Sequence, residues 1–130
     1  MTQPLDAFSS CADAPYVSLR TFRKSGVPVD TPVWSAPADD KLYVFSAGAA
    51  GKVKRIRNSS RSEICVCDVR GKVLGPWYTC STIEIKDPEQ VTQALQALHR
   101  KYGWQMKIAD WGARLTGKYA KRAYLRITIE

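Results

Sequence analysis

Hydrophobic and polar positions along the chain follow two periods, and the shorter one dominates. Tyr16 to Phe22 alternates and is rich in β-formers, which predicts a strand, and Lys24-Ser25-Gly26 predicts the turn after it. Pro28 to Ala36 reads as a second strand, with Val29, Thr31, Val33 and Ser35 on one face. Pro32 lies in its middle and cannot donate to a ladder, so a bulge or an unpaired edge is expected there. Lys41 to Ser46 predicts a third strand, Arg61 to Val69 a fourth, Trp77 to Ile85 a fifth and Ala123 to Ile129 a closing one. On the closing strand Ala123, Leu125, Ile127 and Ile129 share a face.

Helical spacing appears in fewer places. Residues 4–13 fit a short helix. In Lys52 to Asn58, Val53 and Ile56 are three apart and face inward, leaving the cations to project outward or toward the loop. Asp87-Pro88-Glu89-Gln90 opens a longer helix, with Asp87 as cap and Pro88 in the first turn. Its stripe is Val91, Leu95, Leu98 and Tyr102, and Gly103 stops it. A further helix covers Gln105 to Leu115. Six strands with short connections and a helical insertion near residues 87–115 favour a mainly β, antiparallel barrel over a layered α/β sheet. One domain over residues 1–130 is expected, with 1–13 as an N-terminal extension.

Composition narrows the functional classes. A 45% hydrophobic content can fill a core. No apolar run approaches the roughly 20 residues of a membrane span, and no signal peptide is visible, so a cytoplasmic protein without a membrane partner is expected. Cys11, Cys65, Cys67 and Cys80, with one histidine, make a poor metal inventory. Cys65 and Cys67 fall on one strand face and read, like the others, as small buried hydrophobes; no metal site is expected. His99 follows Leu98 in the predicted helix and is expected on its solvated side. Without a second histidine, side-chain nucleophilic catalysis is hard to assemble, so no catalytic residue stands out and a bound cofactor would carry the chemistry.

Charge is unevenly placed. The net charge is +8, yet Lys41 to Ser62 carries six cations and Arg114 to Arg126 five, neither with an acid. A local basic site suits an anionic ligand. The first run includes Ser46-Ala47-Gly48-Ala49-Ala50-Gly51-Lys52-Val53-Lys54-Arg55, in which a strand ends, a loop without bulky side chains follows, and a cation-rich helix begins. Free N–H groups at a helix start attract anions, and Lys52, Lys54 and Arg55 can add charged hydrogen bonds. The spacing is neither Walker nor Rossmann. Trp34, Trp77, Trp104 and Trp111 could serve a basic nucleic-acid binder as stacking surfaces, but their apolar neighbours read as core, and no nucleic-acid partner is expected.

Tyr16 to Trp34, together with Gly51-Lys52-Val53-Lys54-Arg55-Ile56-Arg57-Asn58, resembles the pyridoxamine 5′-phosphate oxidase-like split barrels, most closely their flavin/deazaflavin (F420)-dependent reductase branch. The resemblance covers about residues 15–85. It implies an FMN- or F420-binding oxidoreductase, a homodimer acting on a small organic substrate. By position, Thr31, Pro32, Val33, Trp34 and Ser35 would lie along the ring, with Phe45 and Ser46 beside it. Gly51, Lys52 and Arg55 would hold the phosphate, and Pro76 and Trp77 would enter at a dimer interface. Ala49 and Ala50 stand where relatives often carry an acid or a hydroxyl, which leaves backbone N–H groups for that contact. Ser59-Ser60 replaces a common Asn-Pro. The C-terminal Trp and Arg-Leu signature of true pyridoxine phosphate oxidases is missing from the chain, which argues against that reaction. The same fold also serves haem and other tetrapyrrole carriers without enzymatic activity, and that alternative stands beside the enzyme.

Overall fold

The computed structural model describes residues 4–130. Helix α1 (Pro4–Asp13) is followed by strands β1 (Tyr16–Phe22), β2 (Pro28–Val33), β3 (Ala36–Ala38) and β4 (Lys41–Ala47). Helix α2 (Gly51–Asn58), strands β5 (Arg61–Cys67) and β6 (Tyr78–Ile85), helices α3 (Pro88–Tyr102) and α4 (Trp104–Leu115), and strand β7 (Arg122–Ile129) complete the order. All pairings are antiparallel, in one sheet ordered β2-β1-β5-β6-β7-β4-β3.

That order shapes the molecule. β2 and β3 are the two edges of the sheet, yet only Trp34 and Ser35 separate them along the chain. Three residue steps reach about 10 Å at most, so the sheet must curl until its edges nearly meet. The sequence suggests one strand from Pro28 to Ala36. The structure divides it, because a strand leaving one edge to join the other cannot keep either neighbour in between. Among the described residues the strand count is therefore seven rather than six.

Side chains from the end of α3 close this gap. The Tyr102 hydroxyl accepts from the Ser35 N–H at 3.0 Å and donates to the Pro15 carbonyl at 2.8 Å. Lys101 Nζ donates to the carbonyls of Ala14 and Ser35, both at 2.6 Å. The backbone groups freed at the strand break are thus satisfied by side chains, as buried amides must be. Burial pushes the Lys101 ammonium down to about 8 and the Tyr102 phenol up to about 12.

Inside the curl, Leu19, Leu42, Val44, Ile64, Leu125 and Ile127 are fully buried in a single core. Val53 and Ile56 of α2 are buried as their spacing predicts. The N-terminal segment belongs to the same core through Cys11, Ala12 and Ala14 of α1 and the turn after it. All four cysteines are buried and free, as expected of small hydrophobes. Outside the curl, α3 lies on β3 and β4, its Ala97, Leu98 and Tyr102 packed with Ala36, Trp34 and Phe45. Asp87 caps α3 by accepting from the Gln90 N–H at 3.2 Å. Gly103 ends it at φ 56°, a left-handed angle that lets α4 begin at once in a new direction.

Candidate functional site

The basic α2 corner is built from three elements. β4 ends at Ala47, the Ala50 N–H closes a turn onto the Ala47 carbonyl at 3.0 Å, and α2 starts at Gly51 with no side-chain cap. The first N–H groups of any helix lack internal partners, so Gly51 and Lys52 present theirs at this corner. Arg55 folds back over Gly51, where a Cβ would lie 2.8 Å from its guanidinium. Its Nε donates to Thr21 Oγ1 on β1 at 2.6 Å. Lys52 is half-buried, and burial followed by the neighbouring Arg55 lowers its pKa. Burial followed by Arg23 lowers that of Arg55. Among the described residues, none of Lys52, Arg55 and Arg23 forms a salt bridge, whereas Arg20, Arg57 and Arg122 each hold a carboxylate. Lys52 and Arg55 are like charges at partly buried positions, with exposed Arg23 beside them, and such charges cost stability unless an anion joins them, so a phosphate could be held here.

Two details of the loop differ from the sequence reading. The Ala50 N–H is committed to Ala47 and is not free for a ligand. Gly48 is small because the Lys121 carbonyl accepts from its N–H at 2.9 Å and occupies the space a Cβ would need. This glycine serves packing rather than approach of an anion.

The remaining expected ring contacts fall into other groups within one chain. Trp34 stacks on Tyr102 with centroids 4.6 Å apart and meets Phe45 edge-on at 6.1 Å. Arg122 covers Phe45 at 4.4 Å. Ser35 is buried in the gap, its Oγ without a partner. Val33 and Ser46 are buried, Ser46 Oγ donating to the Ala47 carbonyl at 3.3 Å. Thr31 is half-buried on β2. On the outer face of β1 and β2, Pro32 is exposed and lies against Gly71 of the β5–β6 loop. Trp77 is half-buried beneath Arg20, whose guanidinium sits 3.8 Å from its centroid, and Pro76 beside it is exposed.

A second cluster was not expected from sequence. His99, placed on the solvated side of its helix by the sequence pattern, is half-buried with Nε2 2.7 Å from Asp110 Oδ2. Arg122 donates to the other Asp110 oxygen at 2.6 Å. His99 and Asp110 border a cleft of about 320 Å³ shared with Lys107, Trp111, Arg114 and Tyr119. Three elements meet here only because α4 turns back at Gly103, so no local motif announces the cluster. Trp104 and Trp111, read as core from their neighbours, are 69% and 66% exposed. With Ile108 and Leu115, also exposed, they lie on a face that α4 turns to solvent.

No protein-family model matches the chain, and no curated protein is similar to it in sequence. Solved structures do share its fold. HutZ, the haem storage protein from Vibrio cholerae, matches with a TM-score of 0.70 at 11% identity, over 94% of this chain and 86% of that one. An FAD-binding protein from Mesorhizobium loti matches at 0.64 and 19% identity, over 99% and 89%. A candidate pyridoxamine 5′-phosphate oxidase from Listeria innocua matches at 0.64 and 9% identity, over 98% and 93%. At these identities the likeness is one of fold, and it agrees with the split-barrel resemblance of the sequence.

Proposed function

We propose that this protein is a split-barrel oxidoreductase that binds FMN or F420 through the α2 corner and passes hydride to or from a small organic substrate. The observation that carries the reading is the uncompensated pair Lys52 and Arg55 at the start of α2, with Arg23, just past β1, acting on Arg55. Gly51 and Lys52 N–H groups and the two side chains of Lys52 and Arg55 would hold the phosphate by charge-assisted hydrogen bonds. Thr21, bonded to Arg55 Nε, keeps that guanidinium aimed at the corner. When bound, the flavin or deazaflavin ring supplies the hydride chemistry, and the protein orients it and excludes water. Thr31, Pro32 and Trp77 lie outside the α2 corner in one chain, and a homodimer would bring the two regions to one ligand.

Fold neighbours that bind FAD and store haem support a cofactor-binding role and keep a carrier as the second reading. The one histidine, His99, holds Asp110 through Nε2, so haem ligation by it would use Nδ1 and keep the carboxylate behind the ring. Equilibrium titration of apo-protein with FMN, F420 and haem separately, followed by single-turnover reduction of the loaded protein, tests the proposal. Micromolar binding of FMN or F420 with hydride turnover is expected. Haem binding with neither FMN nor F420 bound would replace the enzyme by the carrier.

A further inference from the structure

The second basic run and the exposed tryptophans have no part in the α2 corner. Trp104, Ile108, Trp111 and Leu115 are 69%, 57%, 66% and 68% exposed. Their spacings of four, three and four residues keep them within about 60° of one another at 3.6 residues per turn. They form one apolar stripe about 16 Å long down the outer face of α4. The opposite face is anchored, because Met106 is fully buried and Asp110 is held by His99 and Arg122. α4 is therefore fixed to the body of the protein with a wholly apolar ridge outward.

Lys107 and Arg114 flank that ridge on one side, and Lys118 and Lys121 follow in the turn beyond it, all exposed. From Trp104 to Lys121 the one acidic residue is Asp110, buried and already paired. We infer that this face docks on an anionic lipid surface, with the α4 stripe in the acyl boundary and Lys107, Arg114 and Lys118 at the headgroups. Indoles suit the interface, and Ile108 and Leu115 supply the apolar contact. Charge complementarity selects this occupant. A second copy across a two-fold axis would set Lys107 and Arg114 against their own images, with no exposed acid on α4 to answer them. A single-stranded nucleic acid needs flat aromatic faces in sequence, and this ridge interleaves its indoles with aliphatic side chains. Among the described residues no helix is long and apolar enough to cross a membrane, so α4 lies on the surface rather than through it.

The test is flotation of the full chain with vesicles of phosphatidylcholine and phosphatidylserine at two to one, against pure phosphatidylcholine. Quenching of tryptophan emission by brominated lipid is the second readout. The protein is expected to float with the anionic vesicles alone and to be quenched there. Trp104→Ser with Trp111→Ser should lower partition by at least about 100-fold, since burying each such side chain contributes about ten-fold or more. Both residues are exposed, so the double variant should melt where the parent does. Lys107→Gln, Arg114→Gln and Lys118→Gln together form a second variant that leaves the ridge intact. It should lose about 100-fold, at roughly five-fold per charge near an anionic leaflet. Absence of flotation with anionic vesicles, or flotation unaffected by both variants, would overturn the inference. So would a mass near twice the chain in sedimentation that the tryptophan variant abolishes, or tight binding of a single-stranded oligonucleotide lost in the same variant.

Discussion

Replacing Lys52 by methionine separates a binding site from a merely basic surface, because its two effects should have opposite signs. Lys52 is half-buried, without a carboxylate, and lowered in pKa first by burial and then by Arg55. Methionine keeps most of the stem and removes the charge, so the ligand-free protein should melt slightly higher. A charged hydrogen bond contributes roughly 1.5–3 kcal/mol, so FMN or F420 affinity should fall by about 10- to 150-fold. The control is Lys54→Met, which removes the same charge from an exposed position of the same helix. It should cost less than about five-fold, as solvated charges do. Arg57, though more exposed than Lys52, is not a fair control. Its guanidinium binds Glu84 twice, at 2.8 and 3.1 Å, and Glu84 is only 12% exposed. Removing it would strand that carboxylate and confound affinity with folding. The assay is fluorescence titration at about 0.15 M salt, where screening over roughly 8 Å suppresses the diffuse field, paired with thermal melts of the ligand-free variants. Equal affinity losses at Lys52 and Lys54 would mean that the basic run acts only as a field. A lower melting temperature for Lys52→Met would mean that the side chain is structural.

Three further outcomes follow from the packing. Tyr102→Phe should destabilise by about 1–3 kcal/mol in chemical denaturation, since it leaves the buried Ser35 N–H and Pro15 carbonyl without their partner; an unchanged midpoint would show that the edge gap does not depend on it. Gly48→Ala should cost about 1–3 kcal/mol, because its Cβ meets the Lys121 carbonyl, part of the backbone that cannot swing aside. Burial is the leading cause that raises the thiols, Cys11 to about 12 and Cys67 and Cys80 to about 11. Folded thiols then keep protons that unfolded ones release, so the stability they contribute is complete below about pH 8.5 and is lost as pH rises toward 11–12. Denaturation midpoints across that window should fall, and Cys11→Ala should flatten the fall.

Period-two alternation and local capping were enough to locate nearly every element, because they are short-range properties of the backbone. Tyr16 to Phe22, the inward pair Val53 and Ile56, and the Asp87 cap are all found where the pattern puts them. The basic corner was legible for the same reason: its strand end, small loop and cation-rich helix are contiguous. What the sequence could not decide depended on contacts made across the fold. Whether Pro28 to Ala36 was one strand or two depended on which edges the curl brought together, and its freed amides found Lys101 and Tyr102 more than sixty residues away. His99 gained Asp110 only through the reversal at Gly103. A helical stripe can be recognised from spacing alone, but spacing carries no sign for inward or outward. Tertiary packing seated Met106 and left Trp104, Ile108, Trp111 and Leu115 facing water.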